Sequence, residues 1–310
     1  METVIQIHQL SKSFNGVETV SNVNMNVKKG EIYGFLGPNG AGKTTIMKMI
    51  LNLVKPTSGE IKIMNQSIST TSYQYLSKIG SIIEYPEFYD RLTAKENLKL
   101  HCEYIGVYEK GATEEALEIV GLNGVEHKKI HEFSLGMKQR LGIARAIVAK
   151  PEILILDEPI NGLDPIGIKD IRELLLYLKE KLGITILISS HIVSEIESIA
   201  DTIGILHHGK LLKEVKMDDI RKENMEYLEI KIDDVEKTIH VLENKLGIRK
   251  YEIVNQHCIR IFEHGISQSQ ISQINKELIF NNIAVNGIEK QQQHLEEYFL
   301  NLINGGNQIA

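Results

Sequence analysis

The stretch Glu31–Leu51, EIYGFLGPNGAGKTTIMKMIL, decides the fold. Ile32 to Leu36 is a short apolar run of strand length. From Thr45 to Leu53 the apolar residues return at helical spacing, which predicts a helix. Between the two lies Gly37-Pro38-Asn39-Gly40-Ala41-Gly42-Lys43-Thr44, which fits the phosphate-loop pattern G-x-x-x-x-G-K-[ST]. The strand–loop–helix setting gives the pattern its physical meaning. Glycines permit the turns that aim consecutive backbone amides inward, and those amides with the helix N-terminus hold phosphate oxygens. Gly37, Asn39, Gly40, Ala41, Gly42 and Thr45 are expected to form the nucleotide cradle. Lys43 is expected to reach the β- and γ-phosphates, and Thr44 to ligate Mg²⁺.

Two further segments belong with this loop. Ile153–Leu156 is a run of four apolar residues, as in a strand buried on both faces, and it ends in Asp157 and Glu158. Asp157 suits a position on the Mg²⁺ side, and Glu158 suits polarisation of an attacking water. A third strand, Ile184–Ser189, leads to His191, placed to contact the γ-phosphate. His8, His101, His127, His207 and His208 lack such a setting and read as surface or packing residues. His207–His208 reads as part of a hairpin turn.

The rest of the chain has the same α/β character as far as Val215. Val4–Ile7, Val23–Val27, Ile61–Ile63 and Thr202–Leu206 read as further strands. The pattern turns helical between Ile83 and Ile153, which predicts a helical insertion over about 85–150. Thr93-Ala94-Lys95-Glu96 is a capping box that opens one helix; Thr113–Val120 and Leu135–Ala149 are others. A polar stretch follows at Met217, so a boundary is expected between residues 216 and 217. Beyond it the order is strand, helix, strand, strand, helix, strand, which predicts a small ferredoxin-like α+β module over 217–310. A last amphipathic helix, His294–Ile303, and a loose tail from Asn304 are expected to close it.

Bulk properties narrow the functional classes. The chain of 310 residues has a net charge of −6 and a pI near 6.0, so no broad basic excess is available for nucleic acid. Its two cysteines, Cys102 and Cys258, form no Cys-x-x-Cys pair and read as buried thiols. The N-terminus lacks the basic and apolar regions of a signal peptide, and no apolar run approaches the ~20 residues that span a bilayer. The expected location is cytoplasmic.

Together these segments resemble the ATP-binding subunit of ABC transporters. Phe133-Ser134-Leu135-Gly136-Met137-Lys138-Gln139-Arg140 is similar to the family's LSGGQ signature, Asn161–Asp164 to its D-loop, and His191 to its switch histidine. The resemblance covers Thr3 to about Val215. It implies a P-loop ATPase core that binds ATP and Mg²⁺ and works as a head-to-tail homodimer. ATP would lie between the P-loop of one subunit and Ser134 and Gly136 of the other. It also implies separate membrane permeases, driven through the helical insertion, and a peripheral position at the inner face of the membrane. Phe14 is the candidate aromatic for stacking on adenine, although Leu10, Phe14 and Val17 also fit a core reading. The signature departs from the family pattern at Phe133, Leu135 and Met137, and the side chain of Leu135 is expected to alter packing at the dimer interface.

A second departure is Glu84, in "SIIEYPEF", where the family's Q-loop carries a glutamine. This resembles the E-loop variant of the bacitracin-transport and lantibiotic-immunity ATPases. The segment Leu295–Leu300 is also similar to the tail of drug-export ATPases in that branch. The resemblance implies efflux of a peptide antibiotic and a metal-side role for Glu84; the competing reading of Glu84 is a solvated loop acid. The alternatives are a soluble ABC-type ATPase acting on ribosomes or DNA, an exporter of another substrate, and a P-loop GTPase. One P-loop, a short insertion without coiled-coil periodicity and the lack of an Asn-Lys-x-Asp segment argue against the first and the last.

Overall fold

The computed structural model describes residues 2–68, 73–223, 226–262 and 266–292. Two compact units divide the chain, Met1–Met217 and Asp218–Ala310.

Among the described residues the first unit holds two sheets. Strands β1 (Thr3–Phe14), β2 (Val17–Lys28), β4 (Ser58–Ile63) and β5 (Gln66–Ser67) form an antiparallel sheet in the order β2-β1-β4-β5. The second sheet contains β3 (Ile32–Leu36), β6 (Ile79–Ile82), β7 (Ile153–Leu156), β8 (Thr185–Ser190), β9 (Thr202–His207) and β10 (Lys210–Lys216). Its order is β10-β9-β3-β8-β7-β6, parallel throughout except for the edge strand β10. One core fills the space between the two sheets and helix α1 (Lys43–Ile50), with Ile5, Val23, Met25, Tyr33, Phe35, Ile46, Ile155 and Leu187 almost fully buried. Helices α5 (Pro165–Leu182) and α6 (Val193–Glu197) also pack on the parallel sheet. Burial on both faces explains why β3 and β7 read as apolar runs and why the middle of β8, Ile186 to Ile188, does so too.

Strands β1 and β2 are each 12 residues long, where the sequence suggested only Val4–Ile7 and Val23–Val27. The hairpin turns at Asn15–Gly16, whose φ values of 48° and 81° suit a tight two-residue connection. Register shifts along β1 break the alternation of apolar residues that marks a strand in sequence. Turn chemistry at His208–Gly209, with φ 45° and 75°, closes the β9–β10 hairpin as expected.

The insertion comprises α2 (Ala94–Ile105), α3 (Ala112–Ile119) and α4 (Leu135–Ile147), which contact one another. Both halves of the Thr93/Glu96 capping box form. Ser134 caps α4 by accepting the Met137 amide at 3.2 Å.

Helix α7 (Met217–Glu223) opens at the division between the units. In the second unit β11 (Glu226–Ile232), α8 (Val235–Asn244), β12 (Tyr251–Asn255), β13 (Cys258–Phe262), α9 (Gln268–Phe280) and β14 (Val285–Gln292) follow the strand and helix order read from the sequence. All pairings are antiparallel, in the order β12-β13-β11-β14. Leu228, Ile230, Ile259 and Ile261 of the sheet share a core with Val241, Leu242, Ile274 and Leu278 of the two helices. Helix α9 starts two residues before the expected Gln270, because Ser267 forms a capping box with Gln270. The expected helix His294–Ile303 and the tail after it lie outside the described residues. Among the described residues no helix is long and apolar enough to cross a membrane. Both cysteines are free and buried.

Candidate functional site

Strands β3, β8 and β7 are parallel neighbours, so their carboxyl ends open on one edge of the sheet. An open α/β sheet places ligands at that edge. Strand β3 runs into the glycine-rich loop, β7 into Asp157–Glu158, and β8 into His191.

The loop is shaped for an anion. Gly42 is the N-cap of α1 at φ 105°, a conformation that a residue with a Cβ rarely adopts, and no side chain caps the helix. The first amides of α1 therefore keep their donors for a ligand. Lys43 is buried inside the loop: its Nζ donates to the Gly37 carbonyl at 2.6 Å and the Pro38 carbonyl at 3.2 Å. The same ammonium lies 3.2 Å from Glu158 Oε1. From outside, the β9–β10 turn holds the loop, since the Gly209 amide donates to the Ala41 carbonyl at 3.0 Å.

Beside the cradle, Thr44 Oγ1 donates to Asp157 Oδ2 at 2.7 Å. Ser189 Oγ donates to the other Asp157 oxygen at 2.6 Å and accepts the Glu158 amide at 2.9 Å. Glu158 has φ 48°, and its Oε2 stands 2.6 Å from His191 Nδ1. A hydroxyl and a carboxylate are hard oxygen donors, which suit Mg²⁺. Among the described residues no group of three or more His, Cys, Asp or Glu side chains is arranged to hold a metal. A metal at Thr44 and Asp157 would therefore complete its shell with oxygens of water or of a bound phosphate.

Lys43, Thr44, Asp157, Glu158 and His191 thus form one connected cluster; the other candidates stand elsewhere. Ser134 and Gly136 line a groove with Leu135, Gly162, Leu163 and Asp164 that includes no residue of the phosphate loop. In that groove Leu135 is 43% exposed, and a Cβ on Gly162 would lie 3.4 Å from Leu135 Cδ2. Phe14, at the end of β1, is also 43% exposed, with Lys12 Nζ 4.7 Å over its ring. Leu10 is core, whereas Val17 is exposed. Glu84 projects from the turn after β6 at φ 64°, and its carboxylate pairs with Lys48 Nζ of α1 at 2.7 Å. The hydrogen bond and charge of Lys48 hold the Glu84 carboxyl below its ordinary range.

Sequence reasoning missed Ser189, Ser190, Glu195 and Lys48. Ser190 Oγ donates to Glu195 Oε2 at 2.7 Å and accepts the Ile192 amide at 2.9 Å, which braces the turn that carries His191. Burial, opposed by the Ser190 hydrogen bond, raises the Glu195 carboxyl above its ordinary range. The available signal was two hydroxyls closing an otherwise apolar buried strand. Lys48 could have been found as the residue one helical turn beyond Thr44.

Comparison with known proteins agrees with this geometry. A family model described as ABC transporter matches residues 20–161. The chain is 54% identical over 307 residues to an uncharacterized ABC transporter ATP-binding protein, YcbN, of Bacillus subtilis, covering 99% of both. It is 48% identical over 306 residues, again 99% of both chains, to the bacitracin transport ATP-binding protein BcrA of Bacillus licheniformis. The lantibiotic transport ATP-binding protein SrtF of Streptococcus pyogenes is 46% identical over 225 residues, 73% of this chain and 95% of its own. Among solved structures, the ATP binding subunit of an ABC transporter has a TM-score of 0.63 at 32% identity, covering 71% of this chain and 93% of that one. A dimeric cassette, MJ0796, bound to ADP and Pi has a TM-score of 0.62 at 28% identity, covering 69% and 98%.

Proposed function

The chain belongs to the ABC transporter ATP-binding family, whose cassettes bind and hydrolyse ATP to drive transport, and on that premise we propose that it powers an exporter of a bacitracin-like peptide antibiotic. It would do so as a homodimer bound to separate membrane permeases at the inner face of the membrane. The single observation that carries the choice of cargo is the full-length identity of 48% to a bacitracin transport ATP-binding protein. The lantibiotic relative matches over 225 residues, a length close to that of the first unit alone.

The proposed chemistry follows from the cluster. Lys43 exchanges the hydrogen bonds of its ammonium to the Gly37 and Pro38 carbonyls for contacts with the β- and γ-phosphates of ATP, where a charge-assisted contact is stronger. Thr44 and Asp157 hold Mg²⁺, which when bound neutralises phosphate charge. Glu158 accepts a proton from the attacking water, and His191 keeps the Glu158 carboxylate oriented and faces the γ-phosphate. Ser134 and Gly136, at the start of α4, supply the second anion site to the partner's nucleotide. Phe14 offers a ring face for adenine, and Glu84 acts from the metal side.

The helical insertion is the proposed contact for the permeases. Tyr85, Tyr89, Tyr104 and Tyr108 are more than half exposed there. Tyrosine is enriched at interfaces because it offers a large apolar ring with a polar end.

The test is purification of the tagged chain from detergent-solubilised membranes of its own host, followed by ATPase assays of the isolated complex. Permease subunits should accompany it, and bacitracin should stimulate turnover more than a lantibiotic does. Ribosomal proteins in place of permeases would overturn the transport reading, and stimulation by the lantibiotic alone would overturn the choice of cargo.

A further inference from the structure

Lys48 belongs to none of the motifs, yet it binds Glu84, which stands where β6 ends and the helical insertion begins, at the hinge of that insertion. Its Nζ lies 2.7 Å from Glu84 Oε1. Thr44 and Lys48 stand at i and i+4 on α1, so they share one helix face about 6 Å apart along the axis. Thr44 meets Asp157 and Lys48 meets Glu84. The same helix face therefore touches the metal side of the site with one residue and the hinge of the helical insertion with the other.

Glu84 is also tethered close to Asp157. The Asp157 amide donates to the Ile82 carbonyl at 2.9 Å, and Glu84 follows Ile82 by two residues, which span at most ~7 Å. A rotation about the turn at Glu84 that carries its carboxylate from Lys48 to the Thr44–Asp157 oxygens is the motion that a metal-side role for Glu84 requires. The pair with Lys48 suits such an exchange, because the Glu84 side chain is 66% exposed and an exposed ion pair is weak and screened by salt.

We infer that Lys48 is a positioning residue that holds the Glu84 carboxylate one helical turn away from the metal, in competition with Mg²⁺. The hinge of the insertion then stays tied to α1 until Mg²⁺ and nucleotide are in place. This inference rests on the reading of Glu84 as a metal-side carboxylate.

Equilibrium binding of a fluorescent ATP analogue to the full chain, titrated with Mg²⁺, tests it without turnover. The midpoint in Mg²⁺ is read for wild type, Lys48→Met, Glu84→Gln and the double variant, with affinity in EDTA as the reference for each. Lys48→Met should lower the midpoint about two- to fivefold, the range that loss of an exposed ion pair supports. Glu84→Gln should raise it, and Lys48→Met should have no effect on the midpoint in the Glu84→Gln background. If Glu84→Gln raises the midpoint while Lys48→Met leaves it unchanged, the latch is overturned and the metal role of Glu84 stands. An equal shift from Lys48→Met in both backgrounds would overturn the latch as well, since Lys48 would then act without Glu84. Superimposable curves for wild type and Glu84→Gln would remove the metal role itself, and the latch with it.

Discussion

The His191 ring and the Glu158 carboxylate meet at 2.6 Å although they leave the sheet from different strands. The second Glu158 oxygen lies 3.2 Å from Lys43, so one carboxylate joins the phosphate loop to the end of β8. Replacing it with an amide keeps the size and removes the base proposed for the attacking water. Glu158→Gln should bind ATP with affinity close to wild type and lose about 10²- to 10⁴-fold in turnover, the usual contribution of a general base. It should then accumulate as an ATP-bound dimer, which size-exclusion chromatography with Mg-ATP reads directly. A variant that turns over at the wild-type rate would remove Glu158 from the chemistry.

Glu195 gives a pH signature. Burial raises its folded-state pKa above the ordinary 4.5, against the opposing Ser190 hydrogen bond, with His191, Glu158 and Arg172 as the charges nearby. A raised folded value means that the carboxyl contributes fully below pH 4.5, and that the contribution is lost as pH rises through the folded value. Glu195→Gln retains an acceptor for Ser190 and has no such loss. The stability of the variant relative to wild type should therefore increase from pH 4 to pH 7, as measured by urea unfolding at each pH. A difference that stays flat or shrinks over that range would contradict the assignment.

Gly204 on β9 makes room for a buried ring. A Cβ there would collide with the hydroxyl of Tyr33, which is fully buried and donates to Glu214 Oε2 at 2.9 Å. Gly204→Ala should destabilise the protein by about 1–3 kcal/mol, the cost of overpacking a filled core. Adding Tyr33→Phe, which removes the colliding oxygen, should recover part of the loss. Denaturant midpoints for the two single variants and the double variant check this coupling; strictly additive losses would show that the two positions do not meet.

The two units suggest separability. Each carries its own core, and the phosphate cluster lies wholly within the first. A chain ending at Met217 should fold, bind ATP with affinity within a few-fold of full length and unfold cooperatively. Circular dichroism and nucleotide titration read both properties, and an insoluble or unfolded product would show that the first unit needs the second.

What the sequence determined by itself was local. A phosphate loop is a contiguous run of backbone donors, so its glycines, Lys43 and Thr44 announce themselves without knowledge of any partner. Asp157, Glu158 and His191 were legible for a related reason, since each follows an apolar run short enough to be read as a buried strand. The capping box at Thr93 and Glu96 was legible because both residues lie within four positions, whereas the box of the same spacing at Ser267 and Gln270 was missed, so that α9 was expected to start at Gln270. The order of strands and helices in the second unit followed from the same local signals.

The tertiary structure alone decided which side chains meet across the sheet. Ser189 reaches Asp157 because β7 and β8 are adjacent and parallel in one register, and neither strand's composition encodes that register. The length of the β1–β2 hairpin was hidden because bulges disrupt the alternation that a strand leaves in sequence. Leu135 and Gly162 come together only through the packing of the insertion against the loop after β7. Glu84 stood out in the sequence as a carboxylate at the end of a strand, but its partner did not. Lys48 lies 36 positions earlier, and only the docking of α1 beside the end of β6 brings the two charges within 2.7 Å. Such a contact depends on the three-dimensional path of the chain between its residues, which no local periodicity records.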